Sequence, residues 1–171
     1  TGADALTGRV AVEWKPQDDM LFYARYGRGF KSGGWNGQAA SAFVQIEEPF
    51  NPEFVNAYEV GAKTQWYDNR LQFNAALFHN EIKDMQALVV EVLDFFTRNA
   101  TSADIFGAEI EMQAQPTDRL FASVGIGLLD TEFGDFFDTG FVDQFGDVQM
   151  TVNRKGDEIA NAPNVTVNAL I

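Results

Sequence analysis

The sequence has no cysteine, one histidine and few bases: 12 Lys and Arg stand against 25 Asp and Glu in 171 residues, a formal charge of −13 at neutral pH. Without cysteine there is no disulfide framework, no thiolate zinc site and no Cys nucleophile. A single histidine excludes His-rich metal clusters and leaves no Ser–His–Asp arrangement to argue. No catalytic set, metal site or cofactor is therefore expected. The acidity also argues against nucleic acid, since little here would neutralise a phosphate backbone. No apolar run of about 18 residues occurs, so no membrane-spanning helix is expected. The first residues lack the basic-then-apolar pattern of a signal peptide. The expectation is that a leader was removed or that the chain begins inside something longer.

What the sequence does have is a period of two. Val10, Val12 and Trp14 alternate with Arg9, Ala11 and Glu13. Phe22, Ala24 and Tyr26 alternate with Leu21, Tyr23 and Arg25, and Tyr58, Val60 and Ala62 with Glu59, Gly61 and Lys63. The same pattern recurs over 71–78, 108–114, 120–128 and 164–171. Successive side chains on a strand point to opposite faces, so each segment has one apolar and one more polar face. Residues 84–96 fit strand or helix. Several strands should run to about 10–14 residues, against a usual mode of about 5–6. About 9–11 tilted residues cross a bilayer. Alternation alone also suits an amphipathic sheet lying on a soluble core.

The connections favour the membrane. Pro16 to Asp19, Tyr67 to Arg70 and Pro116 to Arg119 read as tight turns. The intervening connections, about 32–53, 85–101 and 131–162, read as long loops. In an up-and-down meander this order puts every short turn at one end and every long loop at the other, as in outer-membrane barrels. Charges keep to one face, and Trp14 and Trp66 sit where an interfacial girdle would lie. His79 falls near the outer end of its strand, as a girdle or loop histidine.

Particular runs then resemble a family. Tyr23-Ala24-Arg25-Tyr26-Gly27-Arg28-Gly29-Phe30-Lys31-Ser32-Gly33-Gly34-Trp35-Asn36 resembles the "YARGFKSGGFN" strand end of TonB-dependent outer-membrane receptors. Asn51-Pro52-Glu53, followed by Ala57-Tyr58-Glu59-Val60-Gly61-Ala62-Lys63-Thr64, is similar to the family's "PE…YEVGLKS" strand. Phe73 to Phe78 leading into Ile82-Lys83-Asp84-Met85-Gln86 resembles the next strand, and Asn99-Ala100 with Gly107-Ala108-Glu109-Ile110-Glu111 the "N…GxE.E" segment. Asn161-Ala162-Pro163 is similar to the motif before a late strand. These runs occur in family order over about residues 7–170. GRGFKSGG is not a phosphate loop, because Phe30 stands where glycine is needed before Lys31.

The resemblance implies an all-β fold: an antiparallel meander of about seven long strands, cut from a 22-stranded barrel. It implies uptake of a ferric siderophore, haem, cobalamin or glycan in the outer membrane of a Gram-negative bacterium. Outer-membrane lipid, the TonB complex acting through a plug, and a small ligand would be its partners. Residues 1–171 would form part of the barrel, without plug, TonB box or final strand. Arg25, Arg28, Lys31, Trp35, Asn36, Phe136 and Phe137 are the expected ligand-binding residues at the outer mouth and loops. Arg25, Arg28 and Lys31 are expected to form a basic patch near the outer mouth, which either attracts an anion or pairs with lumen carboxylates. The acidic loop 131–162 has oxygen ligands for calcium but no EF-hand spacing. The glycines after Tyr26 are expected to let the strand bend into its loop. One alternative is a soluble β-sheet binding module with acidic metal- or glycan-binding loops; another is an outer-membrane hydrolase barrel.

Overall fold

A computed structural model describes residues 5–36, 49–91, 94–135, 137–142 and 148–171. Among the described residues the period of two becomes nine strands: β1 (Gly8–Gln17), β2 (Met20–Lys31), β3 (Glu53–Trp66), β4 (Leu71–Glu91), β5 (Asp94–Thr117), β6 (Leu120–Phe133), β7 (Phe137–Val142), β8 (Val148–Asn153) and β9 (Val165–Leu170). Seven of them form one antiparallel sheet in the order β1-β2-β3-β4-β5-β6-β9, and β7 pairs with β8 apart from it. The meander expected from the alternation is the fold found.

Three sequence expectations are refined. Residues 84–96 contribute to strands, since β4 reaches Glu91 and β5 starts at Asp94. The supposed loop 85–101 is thus the far part of one long hairpin. The connection 131–162 starts later, after Phe133, and carries the β7–β8 hairpin.

The register puts like with like. Val12, Ala24, Val60, Leu77, Ala108, Leu128 and Val165 form one continuous cross-strand row. One residue along, Glu13, Tyr23, Gly61, Ala76, Glu109, Gly127 and Thr166 form the neighbouring row on the opposite face. A slip of one residue on any strand would put its charges among the aliphatic side chains, so the pattern pins the register.

None of the described residues covers the apolar face. Val12, Val60, Leu77 and Val167 are 67, 51, 50 and 66% exposed, and Ala103 is the one buried apolar side chain among the described residues. A water-soluble sheet buries such a face against a second layer. Among the described residues there is none, and none is a helix.

The turn end is tight. Two residues join β1 to β2 and β5 to β6, and four join β3 to β4. In the last, Tyr67, Asp68 and Asn69 all have positive φ, at 56, 55 and 65°. Asn and Asp tolerate that region; Tyr67 adopts it at a cost. Register shifts flank Pro16 and Pro116, between Trp14 and Gln17 and between Ala114 and Thr117. A proline has no N–H for the ladder, so pairing breaks there. The turns are also tied sideways. Gln65 N–H donates to Asp19 O at 2.9 Å, Gln115 N–H to Arg70 O at 2.8 Å, and Arg70 meets Asp118 at 3.4 Å.

On the polar face, glycines lie opposite large side chains. The Tyr23 ring lies over Gly61 and the Phe78 ring over Gly107, where a β-carbon would overlap either ring. Such pairs fill the gap a strand glycine leaves and keep the ring flat against the wall. Gly61→Ala should lift Tyr23 from the wall and destabilise the sheet by about 1–3 kcal/mol. Gly29→Ala, with open space around it, should be neutral. Unfolding midpoints from heat-modifiability gels on the full-length protein measure both. At the turn, Asn69→Gly should hold or raise the folded yield and Asn69→Pro should abolish it, because proline cannot reach positive φ.

Candidate functional site

The polar face has hollows of about 450 and 810 Å³ lined by Arg9, Glu13, Tyr23, Arg25, Glu59, Lys63 and Glu109 among others. Alternation aims these side chains to one side, and they pair there. Arg25 forms an ion pair with Glu59, whose other carboxylate oxygen accepts from Tyr23 Oη at 2.7 Å. Glu111 accepts from Asn74 at 3.2 Å and from Gln113 at 2.8 Å. Of the two roles the sequence allowed for Arg25, pairing with a wall carboxylate is the one its geometry displays.

Arg28 does not share that face. Three residues on from Arg25, on a regular strand, it points to the opposite side, with its guanidinium 4.7 Å from the centroid of Phe54. Lys31 returns to the Arg25 side, level with Glu53. These three cations therefore do not make one patch.

Toward the loop end the apolar face changes character within two residues. Tyr26, Tyr58, His79 and Phe106 stand in one cross-strand row. Ring centroids are 5.1 Å apart for Tyr26–Tyr58 and 6.2 Å for Tyr58–His79. Arg28, Asn56, Glu81, Asp104 and Glu132 make the next outward row. Tyr26 Oη donates to Asn56 Oδ1, and Asn56 Nδ2 to Glu81 Oε2, each at 3.0 Å. His79 Nε2 lies 2.8 Å from Asp104 Oδ1. Below the aromatic row, β5 shows Ala108, Ile110, Met112 and Ala114 outward. From Phe106 to Ala114 the strand advances about 26 Å at about 3.3 Å per residue. At a tilt of about 40° that is about 20 Å of depth, close to the lipid-facing band of about 25 Å in outer-membrane barrels.

Beyond the rows, the base of the loop after β2 packs on the β4–β5 hairpin. Trp35 is 52% exposed. Asn36 is engaged by backbone: its Nδ2 donates to Thr97 O at 3.0 Å and its Oδ1 accepts Thr97 N–H at 2.7 Å. Gly33 and Gly34 serve close approach, since β-carbons there would run into Phe50 and the Asn51–Pro52 backbone. The bend expected of the glycines is thus a packing requirement at these two positions. Phe136 lies outside the described residues; of Phe137 only the backbone is described, paired with Asn153. The acidic connection is tied at its base by Lys155–Asp135 at 3.1 Å and Arg154–Asp157 at 3.4 Å. The bond from Lys155, with a second from Asn153, holds the Asp135 carboxyl below its ordinary range. Among the described residues no three potential metal ligands cluster.

A family model described as "TonB dependent receptor-like, beta-barrel" matches residues 1–170. The chain belongs to the TonB-dependent receptor family, in its β-barrel. It is 24% identical over 133 residues to the probable TonB-dependent siderophore receptor PiuA of Acinetobacter baumannii, covering 76% of this chain and 18% of that protein. It is 26% identical over 125 residues to the probable TonB-dependent receptor BfrD of Bordetella pertussis, covering 72% and 16%. Its fold matches the crystal structure of the ferric yersiniabactin uptake receptor FyuA from Yersinia pestis, with a TM-score of 0.71 and 20% identity over 95% of this chain and 22% of that one. The chain thus spans less than a quarter of each of these relatives.

As a section of receptor barrel wall, the sheet turns its polar face inward and its bare apolar face outward. Trp35 and Lys31 are carried at the loop rim, and Asn36 is held against β5. Sequence reasoning missed Asn56. Its place in the alternation was readable, but its burial at 5% exposure depends on Tyr26 and Glu81 from the flanking strands. Asn56→Leu should cost about 1–3 kcal/mol, because Tyr26 and Glu81 each lose a partner. Asn56→Asp should cost more at neutral pH, through repulsion from Glu81. That extra loss should fade as pH falls and the carboxylates take up protons. Thermal midpoints across a pH series check both size and sign.

Proposed function

We propose that this chain is wall and outer rim of a receptor in the outer membrane of a Gram-negative bacterium, and that the whole protein takes up a ferric siderophore. The bare apolar face carries the membrane part of this reading. Hydrocarbon is the medium in which such a face is stable without a second layer, and an antiparallel barrel wall satisfies its backbone there. The cargo part is supported by family membership, by PiuA, described as a siderophore receptor, and by FyuA, described as a ferric yersiniabactin uptake receptor. In this reading the loop end faces the exterior. Lys31 and Trp35 contribute charge and an exposed ring for a chelate, and Asn36 shapes the rim. Phe136 and Phe137 belong to the same rim assignment. Energy would come from the TonB complex, acting through a plug inside the barrel.

The soluble-module alternative requires water over Val10, Val12, Val60, Leu77 and Val167, and no observation favours it.

Two measurements test the proposal. Val60→Arg should lower folded yield in the membrane sharply, at a cost of about 2–4 kcal/mol for a cation facing mid-bilayer. Gln65→Arg, on the inner face, should assemble normally. Equal yields would remove the face assignment. For cargo, cells expressing the full-length protein under iron restriction should accumulate radioactive iron from ferric yersiniabactin or a ferric catecholate. The accumulation should stop when TonB is absent. TonB-dependent uptake of cobalamin, haem or a glycan, with no ferric siderophore uptake, would overturn the siderophore assignment.

A further inference from the structure

Four stretches that are far apart in the sequence meet at one point of the loop rim: Ser32 to Asn36, Phe50 to Glu53, Asp84 to Gln86, and Thr97 to Asn99. The meeting point is where β4 and β5 lose step. Register shifts fall between Ile82 and Met85 and between Met85 and Gln86, and Asp84 has a φ of 54°. A bulge of this kind leaves backbone groups without ladder partners. Here side chains supply partners, the Asn99 amide for the Asp84 carbonyl and the Glu53 carboxylate for the Gln86 N–H. Gln86 Nε2 donates to Ser32 O and Asn51 O, both at 3.0 Å, and Gln86 N–H donates to Glu53 Oε2 at 2.7 Å. Asn99, opposite Gln86 in register, donates from Nδ2 to Asn51 O at 2.9 Å and to Asp84 O at 2.8 Å. Its Oδ1 accepts Asn51 N–H at 2.6 Å. The Asn36 amide engages both backbone groups of Thr97 in the same manner, as a neighbouring strand would. Gly34 and Phe50 exchange backbone bonds at 3.1 and 2.9 Å.

We propose that Gln86, Asn99 and Asn36 form an amide clasp that makes the base of the loop after β2 and the far part of the β4–β5 hairpin one body. The clasp fixes the backbone on both sides of Trp35, between the Gly34–Phe50 bridge and the Asn36–Thr97 pair. All three amides are positioning residues. Gln86 and Asn99 are linked through the Asn51 carbonyl, which accepts from both, and Asn36 is joined to them along the chain through the Gly34–Phe50 bridge next to Asn51. Loss of one donor frees Asn51 to move and weakens the other bonds. The assignment of Trp35 to a cargo-facing rim rests on the function proposed above; the coupling of the two segments does not.

Hydrogen exchange on the full-length protein in lipid nanodiscs, without cargo, tests the coupling. Gln86→Met keeps the side-chain length and removes the donors. The Thr97 amide, which Gln86 does not touch, should then exchange about tenfold faster. Reciprocally, Asn36→Ala should speed exchange at the Gln86 amide, which Asn36 does not touch. It also serves if Gln86→Met fails to assemble. Heat-modifiability gels confirm that the barrel is intact in either variant. Faster exchange confined to residues bonded to the altered side chain, with the remote amide unchanged, would overturn the clasp. Because no cargo is present, that result would leave the siderophore assignment standing. Loss of siderophore uptake in the wild type would likewise leave the clasp standing.

Discussion

One constraint organises the molecule: a single sheet whose aliphatic side is covered by no other part of the described chain. In water that side would have to find a second layer or a partner. In hydrocarbon it is already satisfied, and the cost moves to any charge that strays onto it. The strict alternation, the register and the sharp switch from Tyr26, Tyr58, His79 and Phe106 to Arg28, Asn56, Glu81 and Asp104 all follow from having two different solvents on two faces and a third medium at the rim. Internal packing has little to do with it. Stability is distributed along ladders and cross-strand pairs, so each strand is held chiefly by its neighbours.

That is also why so much was legible. A face in contact with lipid writes its period directly into the sequence, and the turn residues Asp18, Asp19, Asp68 and Asn69 mark where it stops. The reading failed where the two-solvent rule ends. Residues 84–96 lie beyond the aromatic row, where no single apolar face is imposed, so the pattern there suits strand and helix alike and 85–101 reads as a loop. The false patch of Arg25, Arg28 and Lys31 came from counting charges by proximity along the chain. A spacing of three on a strand places neighbours on opposite faces, and the parity was available to be used.

The rim contacts were illegible for another reason. Gln86 to Ser32 and Asn36 to Thr97 join residues 54 and 61 apart in the sequence. Nothing local in a glutamine or an asparagine says which distant carbonyl it will meet. The motifs that resemble the receptor family gave a signal without a reason: Asn51-Pro52-Glu53, Asp84-Met85-Gln86 and Asn99 are separate runs in the sequence, and the fold joins them in a single knot of hydrogen bonds. Likewise Gly61 and Gly107 could be noticed as strand glycines, but Tyr23 and Phe78 as their covers depend on pairing across strands.

The sideways ties among the short turns carry a mechanical meaning. Asp19 to Gln65 and Arg70 to Gln115 and Asp118 link connections belonging to different hairpins, so that margin of the sheet behaves as a hoop that resists spreading. The opposite margin carries the long connections and is tied in its own places, where Gln86 and Asn99 hold Asn51 and where Phe133 and Gly134 bond Asp157 and Ser102. A load applied at the turn margin is therefore shared between neighbouring hairpins through its sideways ties and is not borne by a single strand pair.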